Sequence, residues 1–205
     1  TTAAYSADGS VWNPTTLPVS QRWVSVAAGP RLFVAIAKDT SVYLTSKDGI
    51  AWTARNLPES GAWSAVRYGS GRYVITNDTT NKVLVSQDGI TWTVNESAST
   101  GLNALAYGNG IFVGVASNDA GVDVSTDGYN WTQYGLPSIS DWCAIRFGNG
   151  VFVALANNSA VVATSTDGVT WKQFNLPAAA SWKAVAFGRG VFLGVSDSRT
   201  AVTNC

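Results

Sequence analysis

Short runs of β-branched and aromatic residues alternate with turn-forming Gly, Asn and Asp along the whole chain. Residues 72–76 and 82–86 are two such runs, separated by the polar segment Asn77-Asp78-Thr79. Runs of this length, bounded by turn residues, are typical of β-strands. No segment keeps the 3.6-residue period of an amphipathic helix. The pattern therefore predicts an all-β fold of short antiparallel strands.

Two motifs repeat in phase. Ser-x-Asp-Gly-x-x-Trp occurs five times, and its serines are separated by 40, 40, 39 and 40 residues. Between these copies runs Trp-x-Ala-(Val/Ile)-x-(Tyr/Phe)-Gly-x-Gly, which begins at Trp63, Trp142 and Trp182. Trp23 opens a more divergent copy, and the copy between Trp63 and Trp142 begins with Leu102 instead. Each repeat of about 40 residues reads as four strands.

Four-stranded units at this spacing are typical of propeller blades. We therefore predict one domain over residues 1–205: a five-bladed β-propeller of four-stranded antiparallel blades. The chain begins with the outer half of a repeat and finishes with the inner half. Residues 1–22 and 182–205 are thus expected to share one composite blade that closes the ring and removes exposed edges. Either residues 3–5 or residues 200–203 can supply its third strand.

Composition excludes several classes of function. Lys plus Arg and Asp plus Glu both number 13, and a balanced charge argues against nucleic acid and against anionic membranes. No apolar run approaches the ~20 residues that span a bilayer, and residues 1–5 do not form a signal peptide. There is no His, so we expect neither a metal nor a cofactor. Cys143 is expected to be a small buried side chain and Cys205 a free thiol.

The five motif aspartates are predicted to be structural. Their carboxylates can accept hydrogen bonds from backbone N–H groups of the turn, while the following Gly adopts positive φ. Fivefold repetition favours this interpretation over a set of five ligand-binding carboxylates. The residues are Asp8, Asp48, Asp88, Asp127 and Asp167.

This motif resembles the Asp-box of bacterial neuraminidase repeats, whose usual form is Ser-x-Asp-x-Gly-x-Thr-Trp. Here Gly directly follows Asp, so the turn is one residue shorter, and the resemblance implies a fold element rather than an activity. The combined pattern, fullest over residues 63–92 and 142–171, is also similar to repeats of bacteriophage tail-fibre and virion surface proteins and of secreted propellers. Five-bladed lectins are similar in size. The resemblance implies a location on a virion or outside the cell.

Catalysis is not expected. A sialidase-like site would need an arginine cluster, a tyrosine paired with a glutamate, and an acid/base aspartate, and other glycosidases need two carboxylates. No pair stands out among the remaining acids, and without His no Ser-His or Cys-His arrangement can form.

A ligand site is predicted on the face that carries the turns between second and third strands. Tryptophan beside amide and carboxylate side chains is the chemistry of sugar binding. The alternative is that these Trp pack between blades and that the polar residues only form turns. The candidates are Trp23, Trp63, Trp142, Trp182, Asn77, Asp78, Asn118, Asp119, Asn157 and Asn158.

Arg67 and Arg146 occupy a first-strand position where the other copies have Ala27, Ala106 and Ala186. First strands are innermost in a propeller, so these guanidinium groups are candidate anion contacts in the central channel, or partners of nearby carboxylates.

From these features we predict a noncatalytic binding module for carbohydrate or receptor recognition on a virion or secreted surface. A cell-surface glycan is the expected partner. The alternative is a structural propeller that contacts other virion proteins, and a glycoside hydrolase comes third. Neither nucleic acid nor membrane insertion is expected.

Overall fold

The computed structural model describes residues 2–97, 99 and 101–197, and every regular element in them is a β-strand. No helix in these residues is long and apolar enough to cross a membrane. The strands are β1 (Thr2–Tyr5), β2 (Asn13–Thr16), β3 (Trp23–Ala28), β4 (Phe33–Ala37), β5 (Thr40–Ser46), β6 (Thr53–Gly61), β7 (Trp63–Gly69), β8 (Arg72–Asn77), β9 (Lys82–Ser86) and β10 (Thr93–Glu96). They continue with β11 (Leu102–Gly108), β12 (Ile111–Ala116), β13 (Asp119–Ser125), β14 (Thr132–Ser140), β15 (Trp142–Gly148), β16 (Val151–Ala156), β17 (Ser159–Ser165), β18 (Lys172–Ala180), β19 (Trp182–Gly188) and β20 (Val191–Ser196).

The strands form four antiparallel sheets of four strands, which confirms the predicted all-β blades. Blade 1 contains β3 to β6, blade 2 β7 to β10, blade 3 β11 to β14 and blade 4 β15 to β18, each in sequence order. Strands β1 and β2 form a separate N-terminal hairpin, and β19 and β20 form a separate C-terminal hairpin. The first strands of successive blades contact one another, so the chain describes an arc with these strands on its inner side.

Tight turns connect the first two strands of each blade. At the turn between β7 and β8, Ser70 and Gly71 have φ of 46° and 77°, and Asn109 and Gly110 have φ of 48° and 80° in the next blade. Two consecutive positive φ angles match the hairpin turn whose twist suits antiparallel strands. The Gly-x-Gly motif therefore determines the shape of the turn and also which residues of the first and second strands lie opposite each other.

The outer strands of blades 1, 3 and 4 have nine residues each. Leu57-Pro58 lies inside β6 and Leu136-Pro137 inside β14. Proline is compatible with this position because the outer strand is a sheet edge and has no further neighbour to which it could donate a hydrogen bond. Leu57 and Leu136 are buried, at 5% and 7% exposure, so the pairs anchor the strand to the core.

The hydrophobic core lies between the blades rather than at the centre of the arc. Between blades 1 and 2, Ile36 and Tyr43 pack with Trp63 and Tyr73. The equivalent layer between blades 3 and 4 includes Trp142. Each blade is thus stabilised mainly by the sheets on either side of it, as in other repeat architectures.

An aromatic ring on each first strand covers a glycine of the preceding blade. A Cβ atom placed at Gly69 would overlap the ring of Tyr107, and one at Gly108 would overlap the ring of Phe147. The same holds for Gly148 beneath a ring of the C-terminal hairpin. These glycines let neighbouring sheets approach closely. We call each such contact a ring–glycine joint.

The predicted closure of the ring is wrong in this structure. The two terminal hairpins do not pair, and together with the blades they make six sheets instead of five blades. The physical reason is that the angle between blades is set by the interface between sheets, not by the number of repeats. The predictions for residues 200–203 and for Cys205 concern positions outside the described residues.

Replacing Gly108 by Ala should open the joint between blades 3 and 4, because the added methyl group occupies the position of the Phe147 ring. We expect a loss of roughly 1–3 kcal/mol in the free energy of unfolding, measured with urea, as for other overpacked cores. Gly188→Ala is the matched control, since a Cβ at Gly188 meets no atom within 4 Å. Equal losses in the free energy of unfolding of both variants would show that glycine is needed for the conformation of its own strand and not for the contact with the aromatic ring.

Candidate functional site

The five Ser-Asp-Gly turns share one hydrogen-bond pattern. In the turn at Asp167, Ser165 Oγ donates to Asp167 Oδ1 at 2.9 Å and accepts from Gly168 N at 2.8 Å. The backbone N–H groups of Val169 and Thr170 donate to Asp167 Oδ1 at 2.8 and 2.7 Å. The carboxylate therefore replaces backbone acceptors that a turn of this shape lacks.

Those contacts also change the acidity of the carboxylates. Hydrogen bonds from the backbone N–H groups of Thr170 and Val169, then from Ser165, lower the pKa of Asp167 to about 2. Backbone donors likewise lower the pKa values of Asp8 and Asp48. Groups held this firmly as anions are poor proton donors at neutral pH, so these turns offer no general acid.

The polar residues predicted to read a ligand instead shape their own turns. Asn77 Oδ1 accepts from Thr79 N at 2.9 Å and from Thr80 N at 3.1 Å. Asp119 Oδ1 accepts from Ala120 N at 2.7 Å.

The other predicted polar residues form turns or contacts between blades. Asn118 and Asn158 are exposed and have φ of 54° and 51°, which is the left-handed region that Asn tolerates. Asp78 forms an ion pair with Lys38 of blade 1, and Asn157 Nδ2 donates to Asp141 at 3.0 Å. The structure does not bring these six side chains together around one cavity.

The four predicted tryptophans lie at the starts of β3, β7, β15 and β19. Trp63 and Trp142 are fully buried, with 0% exposure, so their rings offer no face to a ligand. Trp182 is partly buried, and its Nε1 donates to Ser159 O of the preceding blade at 2.9 Å. Trp23 is also partly buried, but it lines a cavity described below. The interpretation that these rings pack between blades fits three of the four.

Arg67 and Arg146 lie together on the inner side of the arc. They line one cavity of about 190 Å³ with Ala106, whose strand β11 lies between the strands that carry the two arginines. Aromatic rings of Tyr68, Tyr107 and Phe147 complete the wall. We call this the arginine cavity.

The two guanidinium groups of the arginine cavity differ in burial, since Arg67 is partly buried and Arg146 is exposed. Arg67 Nη1 donates to Val66 O at 2.8 Å and to Ser25 Oγ at 3.4 Å. None of the four ion pairs found in the described part of the chain includes Arg67 or Arg146. Burial, and then the charge of Arg146, lowers the pKa of Arg67. Two cations that repel each other across an open space form a site complementary to an anion.

A larger cavity of about 880 Å³ separates the N-terminal hairpin from blade 1. Its walls are mostly apolar and include Tyr5 and Trp12 of the hairpin and Trp23, Val26 and Phe33 of the blade. We call it the terminal cleft. The sequence reasoning missed it because a closed ring would have filled this space.

Two features of the described residues bear on the chemistry that the chain offers. No group of three or more Cys, Asp and Glu side chains there could hold a metal ion. Cys143 is half-buried, its Sγ lies 3.2 Å from Trp182 O, and burial, followed by the charge of Asp141, raises its pKa to about 11. A thiol with a raised pKa is a weak nucleophile at neutral pH.

Replacing Asp167 by Asn keeps the shape of the turn but removes the charge. The pKa of the folded carboxyl, about 2, lies below the ~3.9 of an unfolded Asp, so the charge stabilises the fold above pH ~4. That contribution is lost as the pH falls through about 2. We therefore expect the urea midpoint of Asp167→Asn to be lower than that of the parent chain at pH 6 and equal to it near pH 2.

Glu96→Gln is the control for this titration, because Glu96 is exposed on β10, outside any Ser-Asp-Gly turn. Its midpoint should follow that of the parent chain from pH 6 to pH 2. A difference between Asp167→Asn and the parent chain that stays constant over this range would contradict a role for the charge.

Comparison with solved structures identifies the fold. The chain superposes on a streptogramin B lyase with a TM-score of 0.83 at 13% identity, covering 95% of this chain and 69% of that one. It superposes on YCF48 bound to D1 peptide at 0.65, with 16% identity and coverage of 92% and 69%. A nidogen–laminin complex gives 0.73, with 10% identity and coverage of 90% and 76%. No family model and no curated protein matches the sequence.

These neighbours correct the predicted function. They are β-propeller proteins and include an enzyme, virginiamycin B lyase from Staphylococcus aureus. The prediction of a carbohydrate-binding module on a virion or secreted surface is therefore wrong, and the buried Trp63 and Trp142 agree with that outcome. At identities of 10–16% the likeness shows the fold alone: this chain has a β-propeller architecture.

Proposed function

We propose that this chain is a noncatalytic propeller domain that binds an acidic segment of a polypeptide in the arginine cavity. The observation that carries the proposal is the pair Arg67 and Arg146, which line one cavity and have no ion-pair partner in the described residues. Arg67 is partly buried, whereas Arg146 is exposed. The partly buried charge of Arg67, left without a counter-ion, is costly, and an anionic ligand removes that cost.

A carboxylate is the anion that suits this cavity. Guanidinium groups bind carboxylates through paired, charge-assisted hydrogen bonds. Tyr68 lines the same cavity and carries a hydroxyl group that can donate or accept a hydrogen bond, whereas the Tyr107 hydroxyl already bonds Ser70 Oγ at 3.1 Å. The net charge of the chain is zero, so attraction would be confined to this site instead of spread over a basic surface suited to nucleic acid.

Two structural neighbours favour a polypeptide as the source of that carboxylate. YCF48 is described with D1 peptide bound, and nidogen is described in a complex with laminin. The same architecture therefore presents sites to polypeptides in at least two settings. In this chain the arginine cavity lies on the inner side of the arc, where an extended segment can reach it.

Absence of catalysis is supported by the residues that the chain lacks. A virginiamycin B lyase of the same fold is described as catalytically inactive after replacement of a histidine by alanine. This sequence contains no histidine, so it has no side chain of that type to place in an equivalent site. The motif aspartates are held as anions by their own turns, which leaves them unsuited to general acid work.

The proposal is tested by calorimetric titration with a short peptide that contains adjacent glutamates. We expect the parent chain to bind it, and Arg67→Ala and Arg146→Ala each to weaken binding about tenfold or more, since a charge-assisted hydrogen bond contributes about 1.5–3 kcal/mol. Raising the salt concentration should weaken binding further.

Three controls make the result specific. Arg31→Ala removes the same charge from an exposed turn and should leave binding unchanged. The peptide with glutamines in place of glutamates should not bind. Inorganic phosphate added alone tests for a free anion: saturable binding of phosphate with no binding of the glutamate peptide would contradict the polypeptide ligand. Equal binding by the parent chain and both arginine variants would reject the cavity.

A further inference from the structure

The C-terminal hairpin is half of a blade. In blade 4, Val153 and Leu155 of β16 are buried, with 7% and 2% exposure, because β17 lies beside them and the next sheet covers them. The repeat-equivalent residues of β20, Leu193 and Val195, are 63% and 50% exposed. Val191 on the same face is 62% exposed. Within residues 2–197 β20 pairs with β19 alone. An edge strand that presents three large apolar side chains is a template for another strand.

The N-terminal hairpin is the complementary half. Strands β1 and β2 correspond to the third and fourth strands of a blade, as the Ser-Asp-Gly turn after Tyr5 shows. Among the described strands β1 pairs only with β2, so none of them occupies its other edge. The terminal cleft lies beside that edge and is lined by Trp23 and Val26 of blade 1, and Val26 is 57% exposed. No residue of 182–197 lines the cleft.

The register of the missing pairing follows from the complete blades. In all four, the aromatic residue of the second strand lies opposite the motif serine: Phe33 opposite Ser46, Tyr73 opposite Ser86, Phe112 opposite Ser125 and Phe152 opposite Ser165. Carried onto the two hairpins, this rule puts Phe192 opposite Ser6, Leu193 opposite Tyr5 and Val195 opposite Ala3. Leu193 and Val195 would then face Trp23 and Val26, as Val153 and Leu155 face Trp182 and Val185 in the complete pair of sheets.

We propose that the C-terminal hairpin of one copy of this chain pairs with the N-terminal hairpin of a second copy, β20 beside β1, and completes a four-stranded blade in the terminal cleft. A second copy is the occupant because the two halves complement each other in strand order, register and apolar face, yet lie apart within one chain. An isolated two-stranded hairpin is marginally stable, which favours completion. The contact is head-to-tail, so it can repeat from copy to copy.

Disulfide trapping tests the register. In a background of Cys143→Ser and Cys205→Ser, the pair Tyr5→Cys and Leu193→Cys places two thiols directly opposite each other. Opposite residues of antiparallel strands have Cα atoms about 4.5–5.5 Å apart, within the range that a disulfide spans. We expect covalent dimers and larger products on a non-reducing gel after mild oxidation. Ala4→Cys with Leu193→Cys is the control, since residue 4 points to the other face of β1.

The two outcomes that overturn the proposal are distinct. A disulfide formed only within single chains, at every protein concentration, would show that the hairpins close one ring instead. Products no more abundant than in the Ala4→Cys control would show that the hairpins do not pair in this register.

A second measurement does not depend on cysteine. Sedimentation velocity of the parent chain should show concentration-dependent association, and Leu193→Lys should weaken it at least tenfold without loss of folding, because Leu193 is already exposed in the single chain. Ile139→Lys is the control: Ile139 is 75% exposed on the outer strand of blade 3, far along the chain from either hairpin. Parent association unchanged by Leu193→Lys would refute the contact. Because Arg67 and Arg146 are unaltered, peptide binding in the arginine cavity can be measured on the same variants.

Discussion

The ring–glycine joint is the contact on which the arrangement of the blades depends. Tyr107, Phe147 and their equivalents each lie over a glycine of the preceding sheet, where any larger residue would overlap the ring. Close approach of two sheets lets the layers on either side of the joint pack without voids, and dense packing is what makes such layers stable. Because the same joint recurs, the blades meet in the same way at every step.

Repetition of the same joint leaves apolar side chains exposed at the ends of the arc. Blades 2 and 3 have a neighbouring blade on both sides, and their second strands β8 and β12 are almost completely buried, whereas β20 exposes the equivalents of core residues. The exposed residues are well suited to packing and have no sheet to pack against. The proposed pairing between copies and the open arc are thus two consequences of one constraint, the fixed geometry of the step between blades.

Much of the architecture could be predicted from the sequence, because it depends on short-range patterns. The Ser-Asp-Gly turns and the Gly-x-Gly hairpins are encoded by residues within seven positions of one another, and their strands follow. Arg67 and Arg146 could also be located on the inner strands, since their phase within the repeat is unambiguous. Closure could not be predicted, because the rotation between blades depends on how whole sheets pack, which no motif states. The terminal cleft was missed for the same reason.

The prediction of a sugar-binding site failed because the same sequence pattern fits two different structures. Tryptophan next to Asn and Asp has two physical interpretations, recognition and packing, and sequence alone does not separate them. Burial does: Trp63 and Trp142 are enclosed by neighbouring sheets, and Asn77 accepts hydrogen bonds from its own turn. The arginine cavity differs because its charged groups have no ion-pair partner among the described residues, which is a feature that folding alone does not require.

Hydrogen–deuterium exchange tests the open arc most directly, at a dilution at which the chain is monomeric. Residues 191–196 and residues 151–156 are equivalent second strands, but only the latter have a third strand beside them. Edge amides exchange faster than amides paired on both sides. The open arc predicts that the segment 191–196 takes up deuterium much faster than the segment 151–156. Equal protection of the two segments in the monomer would show that the ring is closed and would contradict the account.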